Sequence, residues 1–214
     1  MDTACSAGPS VAREVLVFPA AGMQSTGSYT MELTGRVVET GTGIPSDATS
    51  AREIDPTRYR YTRLMSERGD WWLIFTGDPN RIPFEASTEL QATLTYARDA
   101  FYFPELLEFR IHYEDELVLF HARSGASETL PLPEGIEVEL AADSCEYHKD
   151  PCGSMRVHAL VVREVGGDTA TIWPGATKKV GAFDASVGRA TEGFGRGCAD
   201  AIPTQTELTL WRRE

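Results

Sequence analysis

The sequence predicts an all-β fold, an antiparallel β-sandwich with few or no long helices, and three observations carry that prediction. Apolar residues recur with a two-residue period in short runs, glycine and proline (19 and 12 residues) punctuate those runs, and no segment sustains the 3.6-residue period of a long helix. The same pattern fits a jelly-roll-like arrangement or two small fused β units.

Residues 1–14 are small and polar and read as a flexible N-terminal leader, so the packed body is expected over residues 15–214 as a single β domain. Val15–Phe18 opens it. Tyr29–Glu39 alternates, with Tyr29, Met31 and Leu33 on one face before a turn at Thr34-Gly35. Residues 41–56 are rich in Gly, Thr, Ser, Asp and Pro and read as a long loop with one helical turn near Ala48–Ile54. Arg58–Met65 and Asp70–Thr76 flank Ser66-Glu67-Arg68-Gly69 and form the clearest hairpin. Trp71-Trp72-Leu73-Ile74-Phe75 is too apolar to have a wet face, which predicts a central strand covered on both sides. Thr88–Tyr96, Leu107–Tyr113, Leu117–Ala122, Ile136–Leu140, Met155–Arg163, Asp168–Trp173 and Thr206–Trp211 bring the set to about eleven strands.

Sliding the chain on itself by 46 positions aligns Leu90, Ala92 and Leu94 with Ile136, Val138 and Leu140, and Phe109-Arg110-Ile111-His112 with Met155-Arg156-Val157-His158. The alignment suggests an internal duplication of residues 88–125 and 134–178.

The composition is that of an ordinary globular protein, while the formal net charge of −12 sets the chain against nucleic acid and anionic lipid surfaces. No apolar run reaches the ~18–20 residues that a membrane-crossing helix requires. Asp2 stands where a lipid-modification motif before Cys5 calls for an aliphatic residue.

Cys5, Cys145, Cys152 and Cys198 lie in polar, turn-rich surroundings that suit disulfides. The expected pairs are Cys145 with Cys152, a staple across a short connector, and Cys5 with Cys198. Two bridges imply an extracytoplasmic protein, whether secreted, periplasmic or attached to the cell envelope. A competing arrangement is a zinc site, because Cys145, His148 and Cys152 have C-x2-H-x3-C spacing and Cys198 supplies a fourth soft ligand.

His112, His121, His148 and His158 lie in or beside strand-like runs and match no catalytic motif; hydrogen bonding on a sheet face is the expected role. Ser124-Gly125-Ala126-Ser127 and Gly193-Phe194-Gly195-Arg196-Gly197 read as turns rather than as a nucleophile elbow or a dinucleotide loop. Glu114-Asp115-Glu116 marks a hairpin tip that lacks the ligand spacing of a calcium loop, so calcium and zinc stand as alternatives to no cofactor at all. Phe101, Tyr102, Phe103 and Trp173 fall at connectors or strand ends and are candidates for stacking against a sugar or peptide. The reading is a binding or structural protein with a protein, peptide or carbohydrate partner. Its alternative is a metal-binding protein or metal-dependent enzyme built on the strand histidines with Cys145, His148 and Cys152.

Overall fold

The structure, a computed structural model, describes residues 15–19, 27–43, 45, 59–76, 84–98, 104–125, 129–149, 153–194 and 205–213. Thirteen strands and no helix occur among them. In chain order they are β1 (Val15–Pro19), β2 (Gly27–Thr42), β3 (Tyr59–Ser66), β4 (Gly69–Thr76), β5 (Glu89–Arg98), β6 (Pro104–Tyr113) and β7 (Glu116–Gly125). There follow β8 (Ile136–Lys149), β9 (Gly153–Glu164), β10 (Thr169–Ile172), β11 (Thr177–Val180), β12 (Phe183–Phe194) and β13 (Gln205–Arg212). The pairing of the described strands is antiparallel, so the fold is all-β as the two-residue period predicts. No described helix is long and apolar enough to cross a membrane. Two compact units divide the chain, one over Arg13–Leu117 and one that includes Val118–Glu214.

In the first unit the strands run β1-β4-β3-β2-β5-β6, and β1 also meets β6 at Leu16 and Glu105. The hairpin expected at Ser66–Gly69 joins β3 to β4. Gly69 takes φ 107°, a left-handed conformation that favours glycine, and the Ser66 hydroxyl accepts from Arg68 N (3.2 Å) while donating to Gly69 O (3.0 Å). β2 does not turn at Thr34-Gly35. It continues through Gly35 because β3 passes so close that a Cβ there would lie 2.5 Å from the Met65 carbonyl oxygen, so this glycine serves close approach rather than a turn. The irregularity comes later, where Val38 is bulged out between Val37↔Leu64 and Glu39↔Arg63.

Alternation buries Leu33 and Val37 of β2, Leu64 of β3, Leu90, Ala92 and Leu94 of β5, and Ile111 of β6. β4 is apolar on both faces, and Trp71, Trp72 and Leu73 are all buried, as expected of a doubly covered strand. Trp72 is covered by its neighbours on β3. The Tyr61 ring meets it edge-on at 5.2 Å and 79°, and the Arg63 guanidinium lies 5.2 Å from its centroid while pairing with Asp70. Arg63→Ala is therefore expected to lower stability by about 1 kcal/mol and to red-shift tryptophan emission, since both the cation–π contact and the aliphatic cover are lost. Urea unfolding followed by fluorescence measures both.

In the second unit the order is β7-β13-β12-β9-β10, with β11 added to β12 and β8 added to β9. Two long strands change partner along their length. β12 pairs with β11 over Phe183–Ser186 and with β9 over Thr191–Phe194. β9 pairs with β12 over Ser154–Val157 and with β10 over Leu160–Arg163. Two irregularities accompany the handover, one at Gly188 of β12 and one at residues 141–143 of β8.

Both irregular strands were poorly visible in the sequence pattern. β12 and the short β11 are not predicted at all, and β8 is predicted only as far as Leu140. An inserted residue shifts the inward set by one position, so buried Ala185 and Val187 are followed by buried Ala190 rather than residue 189. The aligned stretches of the suggested duplication fall on hairpins of like order, β5–β6 and β8–β9, with different registers: Leu94 faces Phe109, whereas Leu140 faces Leu160. The helical turn expected near Ala48–Ile54 lies outside the described residues.

Candidate functional site

The three strands β7, β13 and β12 are buried on both faces, and the faces differ in chemistry. One carries Phe120 and Ala122, Leu208 and Leu210, and Ala185, Val187 and Ala190, all buried. The register places polar residues on the other. His121, Thr209 and Ser186 form one row across the three strands, and Arg123, Glu207 and Arg189 form the next. His121, Thr209, Ser186 and Glu207 are buried as deeply as the apolar core.

A buried polar row is tolerable only when its members satisfy one another. His121 Nδ1 lies 2.8 Å from Thr209 Oγ1 and fixes the ring to the neighbouring strand. The rows place the Glu207 carboxylate between two arginine-bearing strands, and Arg189 Nη1 donates to Gln205 Oε1 at 2.9 Å. Gly188 makes room for that carboxylate, because a Cβ at this bulge would lie 2.7 Å from Glu207 Cδ. Ser186 Oγ is buried without a hydrogen-bond partner. The His121–Thr209 and Arg189–Gln205 contacts are cross-strand fastenings of the kind that set register.

A second polar pair lies toward β9. His158 Nε2 is 3.2 Å from Glu192 Oε2 of β12, and Arg156 Nη1 is 3.9 Å from the same oxygen. His158 and His121 are separated by three strand steps, roughly 14 Å at ordinary sheet spacing, so they do not share a site. His112 stands in the first unit opposite Gln91. The strand histidines thus have separate neighbours, and among the described residues no three His, Cys, Asp or Glu side chains converge as metal ligands.

Cys145 is buried on β8 opposite Val157. Cys5, Cys152 and Cys198 lie outside the described residues, as do Phe101, Tyr102 and Phe103. His148 belongs to β8, in register with Ser154. Trp173 follows β10 and is half-buried. Ser124 is buried on β7 rather than presented at a turn. Gly193 and Phe194 end β12, which is strand where the sequence reads as a turn.

Glu114 and Asp115 form the tight turn after β6, with φ 50° and 65°. The negative charge of Glu114, helped by a hydrogen bond from the phenol and slight desolvation, raises the Tyr113 pKa above the ordinary 10.0. A raised folded pKa favours the protonated phenol in the native state. The associated stability is present below the unfolded pKa and lost as pH rises through the folded one. Glu114→Gln is expected to bring the Tyr113 titration down toward the ordinary phenol value, read from phenolate absorbance against pH.

Among the described strands of the second unit β8, β10 and β11 each pair with one neighbour, and β8 is the longest of the three. β8 pairs with β9 alone among the described strands. Hydrogen bonds from Val165 N to Gly135 O (2.8 Å) and from Glu164 N to Asp168 O (2.9 Å) fix the phase of this ladder. Residues 135, 137 and 139 therefore point their backbone groups at β9, and Val138 and Leu140 point theirs outward. Arg163 spans Glu137 and Glu139, at 3.5 Å from a carboxylate oxygen of each, and with Val138 and Val161 these residues line a shallow groove beside the edge. Leu140 is 50% exposed.

Comparison with protein families, with curated proteins and with solved structures finds no match to this chain.

Proposed function

We propose that this chain is an extracytoplasmic β-sheet protein with a binding or structural role, one that meets its partner along its surface strands. The outward-facing backbone of β8 carries this reading. A strand edge with outward N–H and C=O groups is a template for another extended chain, and charged side chains such as Glu137 and Glu139 keep such an edge from pairing with copies of itself while leaving it open to a chain of opposite charge. Elsewhere in the second unit three polar contacts fasten strands: His121 to Thr209, His158 to Glu192, Arg189 to Gln205. Such commitments support structure and leave recognition to the surface.

A disulfide at Cys145 is part of this reading and carries the compartment with it, because thiols in a reducing cytoplasm stay reduced as a rule. A bridged Cys145 would offer no thiolate to the Cys145, His148, Cys152 and Cys198 zinc set, so the disulfide and the zinc site exclude one another. Pairing of Cys145 with Cys152 and of Cys5 with Cys198 belongs to the same proposal.

The test is a thiol count on protein prepared under oxidising conditions and denatured without reductant. No alkylatable thiol among the four cysteines is the expected result, and peptide mapping of the unreduced chain then identifies the pairs. Four reactive thiols, or stoichiometric zinc with reduced cysteines, would overturn the extracytoplasmic reading in favour of a metal protein.

A further inference from the structure

We infer that the β8 edge binds an extended peptide segment in which basic and apolar residues alternate, a partner that completes the sheet by adding a strand beside Ile136–Leu140. The inference rests on the binding role proposed above and specifies its partner.

Two features define the partner. The first is the hydrogen-bonding phase. Val138 and Leu140 direct their N–H and C=O groups away from β9, and over Ile136–Leu140 the strand is regular, before the irregularity at residues 141–143. An incoming strand gains ladder bonds over that stretch without disturbing the β8–β9 ladder.

The second feature is the side-chain pattern. Glu137 and Glu139 project from one face and Val138 and Leu140 from the other, since neighbours on a strand alternate. One cation, Arg163, is shared between the two carboxylates, so the face keeps an excess negative charge on a chain whose net charge is −12. A docked strand places its own residues opposite these at the same two-residue spacing. Lys or Arg at alternate positions meets Glu137 and Glu139, and the residues between them meet Val138 and exposed Leu140.

A second copy of this chain is a poor occupant. Antiparallel self-pairing centred on Val138 sets Glu137 against Glu139 of the other copy on both sides, and like charges directly opposite destabilise a sheet. The edge therefore discriminates by charge: it repels itself and attracts a basic strand.

The experiment measures binding of a short capped peptide alternating lysine and valine, by calorimetry at moderate salt, to the full chain and to Val138→Pro. The Val138 N–H faces outward, so proline there leaves the β9 ladder intact while deleting a donor from the edge and placing its ring in the path of a docking strand. Circular dichroism and the melting curve confirm that the variant folds. The expected result is saturable binding weakened at least about tenfold by Val138→Pro, the effect of a lost edge bond plus the steric block. Glu137→Gln with Glu139→Gln should weaken it as well, and a peptide of alternating glutamate and valine should not bind.

If Val138→Pro binds the basic peptide as tightly as the parent, the attraction is charge alone and the strand-addition site is overturned. If no peptide binds, the basic partner is overturned too. In either case the thiol count still tests the broader proposal independently.

Discussion

Glu207→Ala is expected to cost on the order of 3 kcal/mol, from the space left over Gly188 and the loss of a buried carboxylate that the register sets between two arginine-bearing strands. Glu207 is 1% exposed, and the register sets it between Arg123 on β7 and Arg189 on β12. Alanine deletes the carboxylate and opens a space over Gly188, whose backbone the carboxylate covers. Glu207→Gln keeps the volume and removes the charge, so its smaller loss separates packing from electrostatics. Urea unfolding of the two variants gives both numbers. A loss below about 1 kcal/mol for alanine, the range of a solvated surface pair, would mean that the polar face is wet.

Phe120→Ala should cost a similar ~3–5 kcal/mol by a different mechanism, namely lost transfer energy plus a cavity. Phe120 is fully buried on the apolar face of the same three strands, opposite Leu210, whose own neighbour across the next ladder is Ala185. Because Ala185 is small, the residue in register on that strand cannot refill the space. Phe120→Leu should recover most of the loss. Comparing the alanine variants at residues 120 and 207 asks whether the two faces of one sheet are equally closed to water, and equal costs are the prediction.

The extent to which the fold was legible depended on how regular each strand is. The β3–β4 hairpin could be read in advance because Ser66–Gly69 is turn chemistry between alternating runs, and Trp71-Trp72-Leu73 announced a strand covered on both faces. β12 could not. Beyond Phe183 its inward residues are Ala185, Val187 and Ala190, two of them the smallest apolar side chain, and the bulge at Gly188 breaks their spacing, so neither hydrophobic weight nor period marked it. Gly35 was legible as an exception but not in kind: a glycine inside an alternating run reads as a turn or as a close approach, and only the position of the Met65 carbonyl decides between them.

The polar rows were illegible for a related reason. His121, Arg123, Glu207 and Thr209 alternate with Phe120, Ala122, Leu208 and Leu210, which is the signature of a half-wet sheet. Burial of the polar half is a tertiary fact. The β8 edge was partly legible, since Glu137 and Glu139 alternate with Val138 and Leu140. What the sequence could not show is that β8 has one neighbour among the described strands and that the outward backbone groups belong to the valine and leucine.

Amide exchange at β8, followed residue by residue by NMR, tests the central claim that this edge is open and takes a strand. In the free protein Val138 and Leu140 should exchange rapidly while Glu137 and Glu139, bonded to β9, are protected; saturating basic peptide should then slow Val138 and Leu140 and leave the glutamates as they were. Protection of all four amides in the free protein, or no change at Val138 and Leu140 under saturating peptide, would contradict it.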